Sequence, residues 1–250
     1  KCYPDTTSAI WFLYEGGRLI CLFVLYVDDF IASGRRATVA WLEKELTKRG
    51  IVLSKWGKIE EMLGCSYRVT QTPIANESME TVVEIDMRAY TQNMTKEFEA
   101  KHDLERWVRL HPAFRRDLVP GSIPEMEEAD APAGIMADDA PRYVGQVTWA
   151  MRSGVAPAAQ ACNAVAGSLA RWKRSTDSAM MKLMAWMKLV ANSSVLTGTV
   201  STEDAAPLVG RLVLFVDADW AGDKQTRKST SAYAIYFVGP SGTFILLDWA

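Results

Sequence analysis

The feature that most constrains the fold is an apolar stretch, residues 10–32, that polar residues interrupt twice. The first interruption, Glu15-Gly16-Gly17-Arg18, has turn chemistry and separates two segments rich in aromatic and β-branched residues, 10–14 and 19–26. The second interruption is Val27-Asp28-Asp29, between FVLY and FIAS. The longest apolar run, Ile20 to Val27, is far shorter than the ~20 residues that a membrane span requires. We therefore predict two consecutive hairpins that share their middle strand.

The rest of the chain alternates between helical and strand patterns. Thr38 is placed to cap a helix that Gly50 ends, and Asp86 to cap a second helix whose apolar stripe runs from Met87 to Phe98 through Tyr90 and Met94. Between residues 103 and 140 the periodicity fades among prolines and acidic residues, which predicts a long loop or insertion. The remaining expected elements are strands at 62–70 and 80–85, helices at 142–152, 158–173 and 178–191 (the last after Asp177), and strands at 211–217, 232–238 and 243–249.

Composition excludes several classes of protein. The four cysteines are far apart and the chain has only two histidines, which argues against a zinc site and against a disulfide framework. A reducing intracellular compartment follows as the expectation. The net charge of −2 gives no case for nucleic-acid binding by bulk charge. The segment from Arg35 to Lys58, however, has a local net charge of about +5, which suits either a phosphate-binding face or a solvated surface.

Tyr26-Val27-Asp28-Asp29 places two adjacent carboxylates at the tip of an apolar hairpin. Nucleotidyl transfer uses two divalent cations ~3.5–4 Å apart, and Mg²⁺ prefers carboxylate oxygens on a rigid support. Aspartate is also common in turns, so the motif alone leaves a purely structural turn open. A second motif, LFVDADWAG, ends an apolar strand with Asp217 and Asp219, which alternation puts on one face. That face could hold a metal or simply contact solvent.

Together these blocks resemble copia-type retrotransposon polyproteins. LFVLYVDDFIASG resembles the segment around the catalytic YVDD of their reverse transcriptases, and VDADWAGDKQTRKSTSAY resembles the opening of their RNase H domain. Three weaker similarities lie between them. Met62-Leu63-Gly64 resembles the family's segment at the primer grip, YTQNMTKEF resembles the helix that opens its thumb, and RYVGQV resembles a later helix. The chain departs from the family at Val155-Ala156-Pro157-Ala158-Ala159, where "TRPDI" is usual, and at Ala232, where glycine is usual.

The resemblance implies an α+β fold. Residues 1–86 would be the C-terminal part of the palm, an antiparallel sheet with a helix. Residues 87–205 would be the thumb and linking helices, including the acidic, Pro-rich loop at about 103–140. Residues 206–250 would be the first strands of an RNase H-like fold.

The resemblance also implies roles for individual residues. Asp28 and Asp29 would be polymerase metal ligands and Asp217 an RNase H ligand, with Mg²⁺ or Mn²⁺ as the cofactor, whereas Asp219 would tune the site or cap. The substrates would be an RNA or DNA template-primer and deoxynucleotides, and the partners the rest of the polyprotein. The expected location is intracellular: cytoplasm, virus-like particle or nucleus. The predicted nucleic-acid contacts are Tyr26, Arg35, Arg36, Lys55, Lys58, Arg171, Lys173 and Arg174.

Three functions remain open from the sequence. The first is RNA-directed DNA polymerase with a partial RNase H, and the second is a degenerate remnant that binds nucleic acid without chemistry. The third, a free-standing metal-dependent phosphohydrolase, lacks a complete carboxylate cluster. The family's polymerase site uses a further aspartate upstream of Lys1, and its RNase H site uses a glutamate and aspartates downstream of Ala250. We therefore expect these residues to hold part of each site and to be inactive alone.

Overall fold

A computed structural model describes residues 2–4, 10–54, 56–73, 79–112, 132–205, 209–220 and 229–250. The chain divides into two compact units, residues 1–62 and 63–250. The elements of the first unit are β1 (Cys2–Pro4), β2 (Ile10–Glu15), β3 (Arg18–Tyr26), β4 (Asp29–Gly34), α1 (Arg36–Lys48) and β5 (Glu61–Met62).

The first unit is built on an antiparallel sheet in the order β1-β2-β3-β4. This confirms both predicted hairpins. Gly16 and Gly17 have φ values of +55° and +79°, which the tight turn between β2 and β3 requires. The predicted cap at Thr38 is wrong, because the helix begins two residues earlier and Arg35 is its N-cap, without a side-chain bond. Gly50 follows the helix end with a φ of +82°, as predicted for a terminating glycine.

In its described residues, the second unit combines a larger antiparallel sheet with six α-helices. Neighbouring strands follow the order β6-β7-β8-β11-β10-β9. The predicted mixture of helices with antiparallel sheets is therefore confirmed, and it is compatible with an α+β class. The elements are β6 (Cys65–Pro73), β7 (Met79–Asp86), α2 (Arg88–Lys101), α3 (Leu104–Leu110), α4 (Ala140–Ser153), α5 (Ala159–Gly167), α6 (Arg174–Val190), β8 (Val195–Ser201), α7 (Thr202–Ala205), β9 (Arg211–Ala218), β10 (Ser231–Val238) and β11 (Phe244–Trp249).

The core of this unit lies between the helices and the sheet. The predicted stripe on α2 is confirmed, since Met87, Met94 and Phe98 are fully buried and Tyr90 packs against them. The methionines of α6, which the sequence assigned to a core, are buried in the same cluster. None of the helices in the described ranges is both long enough and apolar enough to pass through a membrane.

The two units do not follow the divisions at 86/87 and 205/206 that the family resemblance implies. Strands β6 and β7, from the predicted palm, share one sheet with β9, β10 and β11, from the predicted RNase H domain. The link is β8, which pairs with β7 along its length and with β11 through Thr199 and Phe244. The family-based divisions stay a prediction.

The predicted loop at 103–140 is partly wrong. Residues 104–110 form α3, in which Leu104 is buried and the carboxylate of Asp103 accepts a 2.9 Å hydrogen bond from the Arg106 N–H. This N-cap and the apolar spacing of Leu104, Trp107 and Val108 are ordinary helix signals that the surrounding prolines obscured. Residues 113–131 lie outside the described part of the chain.

Two of the predicted helix boundaries, both close to Asp177, are wrong. The helix expected over 158–173 ends at Gly167, apart from a short 3-10 turn, and the next begins at Arg174 rather than 178. Asp177 is therefore inside the first turn of α6, where it is buried. Its carboxylate accepts hydrogen bonds from Ile135 N–H at 2.7 Å, Met136 N–H at 3.1 Å and Trp172 Nε1–H at 2.7 Å.

A second buried carboxylate, Asp204 in α7, binds the turn between β10 and β11. It accepts hydrogen bonds from the backbone N–H groups of Ser241 at 3.0 Å and Thr243 at 3.1 Å. Burial raises the pKa of Asp204, but the hydrogen bonds from Thr243 and Ser241 outweigh it and hold the pKa below its usual value. Its stabilising contribution is therefore complete above the unfolded-state pKa and is lost as the pH falls through the folded one.

Candidate metal and nucleic-acid site

The hairpin of β3 and β4 presents the two adjacent carboxylates at its tip. Tyr26 pairs with Asp29, so the turn consists of Val27 and Asp28 alone. Residues opposite each other in a pair lie on the same side of a sheet, which puts Tyr26 beside Asp29. Both aspartates are exposed, and Tyr26 is 55% exposed.

Val27 has a φ of +54°, in the left-handed region that β-branched residues rarely adopt. Such a conformation costs about 1–3 kcal/mol and persists only where the surrounding structure enforces it. No packing of the side chain compensates, because Val27 is 84% exposed. A two-residue turn here would normally use Asn-Gly, so this strain is a local sign of function.

Aromatic packing and a close backbone approach hold the strands behind the tip. The Phe23 and Phe30 ring centroids lie 5.1 Å apart, and the Trp56 ring packs in a tilted orientation 5.7 Å from Phe30. At the far end of β4, a Cβ added to Gly34 would lie 2.9 Å from the Cα of Cys21, so only glycine fits there. These contacts give the tip the rigid support that a metal site requires.

The donor chemistry of the tip fits a hard divalent cation. Asp28 and Asp29 offer carboxylate oxygens, the ligands that Mg²⁺ and Mn²⁺ prefer. Within the described residues, no group of three or more histidine, cysteine, aspartate or glutamate side chains converges on one point. The tip therefore offers two adjacent carboxylates, fewer than the cluster that a two-metal site uses.

Asp217 and Asp219 are in the second unit, at the end of β9. Asp217 pairs with Ala232 and is exposed. The Asp219 carboxylate instead accepts a hydrogen bond from the Thr230 N–H, while the Asp219 N–H donates to the Thr230 carbonyl at 3.0 Å. Asp219 thus stabilises the end of the β9–β10 pairing, which agrees with a capping role, and Asp217 is the freer carboxylate.

Six basic residues of the first unit form an exposed set along α1 and the segment after it. None of them forms an ion pair within the described residues, so their charges are available to an anionic ligand. Lys55, a predicted contact, lies outside the described residues. The exposed set consists of Arg35, Arg36, Lys44, Lys48, Arg49 and Lys58.

The basic residues of the second unit differ from one another in exposure and in ion pairing. Arg171 and Arg174 are exposed, whereas Lys173 is half-buried and forms the N-cap of α6. Lys188, at the far end of α6, is bound by Glu99 at 2.6 Å. The predicted phosphate-binding face is therefore better developed around α1 than along α6.

Sequence reasoning missed the strain at Val27 and the carboxylate of Asp177. The strain had a signal: two apolar strands separated by only two residues, neither of them glycine or asparagine. The role of Asp177 had no signal in the sequence, because its backbone partners, Ile135 and Met136, lie about 40 residues away in the chain.

The chain matches no protein family, no curated protein and no solved structure. The features of the chain that bear on its function are the hairpin tip, the basic residues around α1 and the motif at the end of β9.

Proposed function

We propose that this chain is part of a copia-type retrotransposon polyprotein and acts in RNA-directed DNA synthesis by nucleotidyl transfer. The observation that carries the proposal is the pair of exposed carboxylates, Asp28 and Asp29, at the strained tip of a rigid apolar hairpin. Strained backbone in a tight turn is typical of functional sites.

Each residue of the tip has a role under this proposal. Asp28 would be the principal metal-holding carboxylate and Asp29 a second ligand or a positioning group. Bound Mg²⁺ or Mn²⁺ would supply Lewis-acid stabilisation of the reacting phosphoryl oxygens. Tyr26, on the Asp29 side of the sheet, would pack near the primer terminus, and the substrates would be an RNA or DNA template-primer and deoxynucleotides.

A partial RNase H site is the second element of the proposal. Asp217 ends a strand that is paired in register with β10, and its carboxylate is exposed. It would hold the same kind of cation, while Asp219 maintains the local backbone. The remaining ligands would come from other parts of the polyprotein.

A second candidate function is nucleic-acid binding without chemistry, as a diverged remnant of the same element. The observation that favours it is the set of exposed basic residues around α1, which form no ion pair within the described ranges. Both functions require binding of a template, but only the polymerase requires Asp28 for turnover.

Binding of an RNA–DNA hybrid tests what the two functions share. We expect Arg35→Gln with Arg36→Gln to weaken binding about tenfold at low salt and to reduce the slope of log K against log salt by about 2. The reason is that two phosphate contacts and their released counterions would be lost. Fluorescence anisotropy of a labelled hybrid at several salt concentrations measures both quantities.

The matched control removes two positive charges that are already neutralised. Arg68 lies 3.5 Å from Glu84 and Arg142 lies 2.6 Å from Glu97, so Arg68→Gln with Arg142→Gln should leave affinity within about twofold. Equal losses of affinity in both double variants would show that the effect depends on net charge and not on the position of the arginines. No binding by the wild-type chain even at low salt would remove both candidate functions.

A further inference from the structure

The larger sheet has one junction at which the backbone ladder between neighbouring strands is very short. β7 pairs with β8 along the full length of β8, and β9 pairs with β10 along the full length of both. By contrast, β8 and β11 pair at Thr199 and Phe244 alone. A sheet separates most easily where its ladder is short, because few hydrogen bonds must break together. Strands β9, β10 and β11 therefore form a three-strand block that is joined to β8 mainly by side chains.

The side chains that close this junction lie at one end of it, around Asp204 on α7. Asp204 is 1% exposed, and its carboxylate accepts hydrogen bonds from the Ser241 N–H at 3.0 Å and the Thr243 N–H at 3.1 Å. The Thr243 hydroxyl in turn accepts a 2.9 Å hydrogen bond from the Ser201 N–H at the end of β8. Hydrogen bonds to a charged acceptor are roughly twice as strong as neutral ones, and stronger still away from water. Asp204 is therefore the principal latch between the block and β8.

The backbone around this latch approaches the carboxylate and β8 closely. Gly239 donates its N–H to the Thr243 carbonyl at 2.8 Å, and any side chain at position 239 would overlap the Asp204 carboxylate. Further along the junction, a Cβ added to Gly198 would lie 3.6 Å from the Cβ of Ile245. The two strands thus lie side by side near the latch, although one residue pair alone joins their ladder.

The opposite end of the junction is held by the helices. Trp249, the last residue of β11, is 7% exposed and packs in the core cluster of the second unit. The Arg152 side chain on α4 donates hydrogen bonds to the Asp248 carboxylate at 3.3 Å and to the Trp249 carbonyl. These contacts are made to the helices and not to β8, so they persist when β8 and β11 separate. The Trp249 end is therefore suited to be a pivot.

We propose that the three-strand block is a hinged flap, which swings away from β8 about its Trp249 end when the Asp204 latch is released. Opening breaks the latch and the pair of Thr199 with Phe244. The ladders within the block stay intact, because they join β9, β10 and β11 to one another. The hinge does not depend on the proposed function, but its motion redirects β9, which carries Asp217, relative to the helices.

Hydrogen exchange of the isotope-labelled chain, followed by NMR, tests the latch through the Ser201 amide. This amide bonds to Thr243 and not to Asp204, so its exchange reports separation of the strands and not the loss of its acceptor. We expect Asp204→Asn to accelerate Ser201 exchange at least about tenfold, because the charged acceptor of the latch is lost. The amide of Tyr233, which bonds to Ala250 on the ladder of the block, should stay within about twofold of wild type.

The matched control is the same substitution at the pivot end. Asp248→Asn removes the carboxylate that pairs with Arg152, and both side chains of that pair are close to half exposed, so Ser201 exchange should stay within about twofold of wild type. Equal Ser201 exchange in wild type and Asp204→Asn would overturn the latch. An acceleration by Asp204→Asn that is as large at Tyr233 as at Ser201 would overturn the hinge, because the block itself would then be unfolding.

A disulfide across the junction tests the motion without any change at Asp204. Gly198→Cys with Ile245→Cys places two Cβ atoms at a separation within the range of about 3.5–4.5 Å that disulfides accept. The oxidised form should exchange the Ser201 amide at least about tenfold more slowly than the reduced form of the same variant, because the strands can no longer separate. Oxidised and reduced forms that exchange Ser201 at the same rate would overturn the proposal.

Discussion

Replacing Asp28 with asparagine should reduce primer extension by a factor of about 10²–10³ or more. The measurement is made on a protein in which the upstream half of the proposed polymerase precedes this chain, with Mg²⁺, a template-primer and deoxynucleotides. The amide retains the shape of the side chain but removes its negative charge, and a divalent cation held by few ligands depends on that charge.

Two comparisons make the result specific to the tip. Glu15→Gln removes an exposed carboxylate at the end of β2 and should leave extension unchanged. Glu15 pairs with Arg18 at the start of β3, which lies about 26 Å from Tyr26 at the tip end of that strand at ~3.3 Å per residue. Hybrid binding by Asp28→Asn should stay within about twofold of wild type, since the basic residues around α1 are intact. Extension by Asp28→Asn at a near wild-type rate would remove the polymerase proposal.

Replacing Asp177 with alanine should reduce the free energy of unfolding of the second unit by about 4 kcal/mol. Its carboxylate is the acceptor for the Ile135 N–H, the Met136 N–H and the Trp172 indole N–H, all at 3.1 Å or less. Alanine would leave these donors unpaired around a small cavity. Asparagine keeps one acceptor oxygen but turns an amide N–H₂ toward a donor, so its loss should be intermediate.

Urea denaturation followed by tryptophan fluorescence measures this loss. The control is Asp138→Ala, which removes an exposed acid from the segment that Asp177 holds and should cost less than about 1 kcal/mol. If Asp177→Ala and Asp138→Ala were equally stable, the three hydrogen bonds would not be what holds residues 134–139 against α6.

The local elements could be predicted where the pattern and the turn chemistry lie within a few residues of each other. The hairpins around Gly16 and Asp28, the stripe on α2 and strands β9 to β11 are all of this kind. Their periodicity decides which face is apolar, and the turn residues decide where each strand ends.

The elements that were missed depend on contacts distant in the sequence. The start of α6 depends on Asp177, whose carboxylate is stabilised by the backbone at 135 and 136. Strand β8 was not predicted, although Val195-Leu196-Thr197 is compatible with a strand. Pairing with β7, rather than the propensity of these residues, decides that the segment is a strand. The joining of β6 and β7 with β9 to β11 in one sheet follows from β8 and was equally invisible.

The candidate site was predictable in position but not in conformation. The sequence places Asp28 and Asp29 at a hairpin tip, and the structure has them there. The left-handed backbone of Val27 belongs to a two-residue turn, and the rings of Phe23, Phe30 and Trp56 pack together next to the strands that it joins. No single-residue preference predicts a strained valine.

Titration of the isotope-labelled chain with Mn²⁺, followed by NMR, tests most directly whether the tip holds a divalent cation. We expect the backbone amide signals of residues 26–30 to broaden at lower Mn²⁺ concentration than those around Asp138 and Asp139, an adjacent acidic pair that Lys101 partly neutralises at 3.2 Å. Asp28→Asn should abolish the selective broadening at the tip, and Glu15→Gln should preserve it. Broadening that is no stronger at residues 26–30 than at 138 and 139, or that persists in Asp28→Asn, would contradict the assignment of Asp28 as a metal ligand.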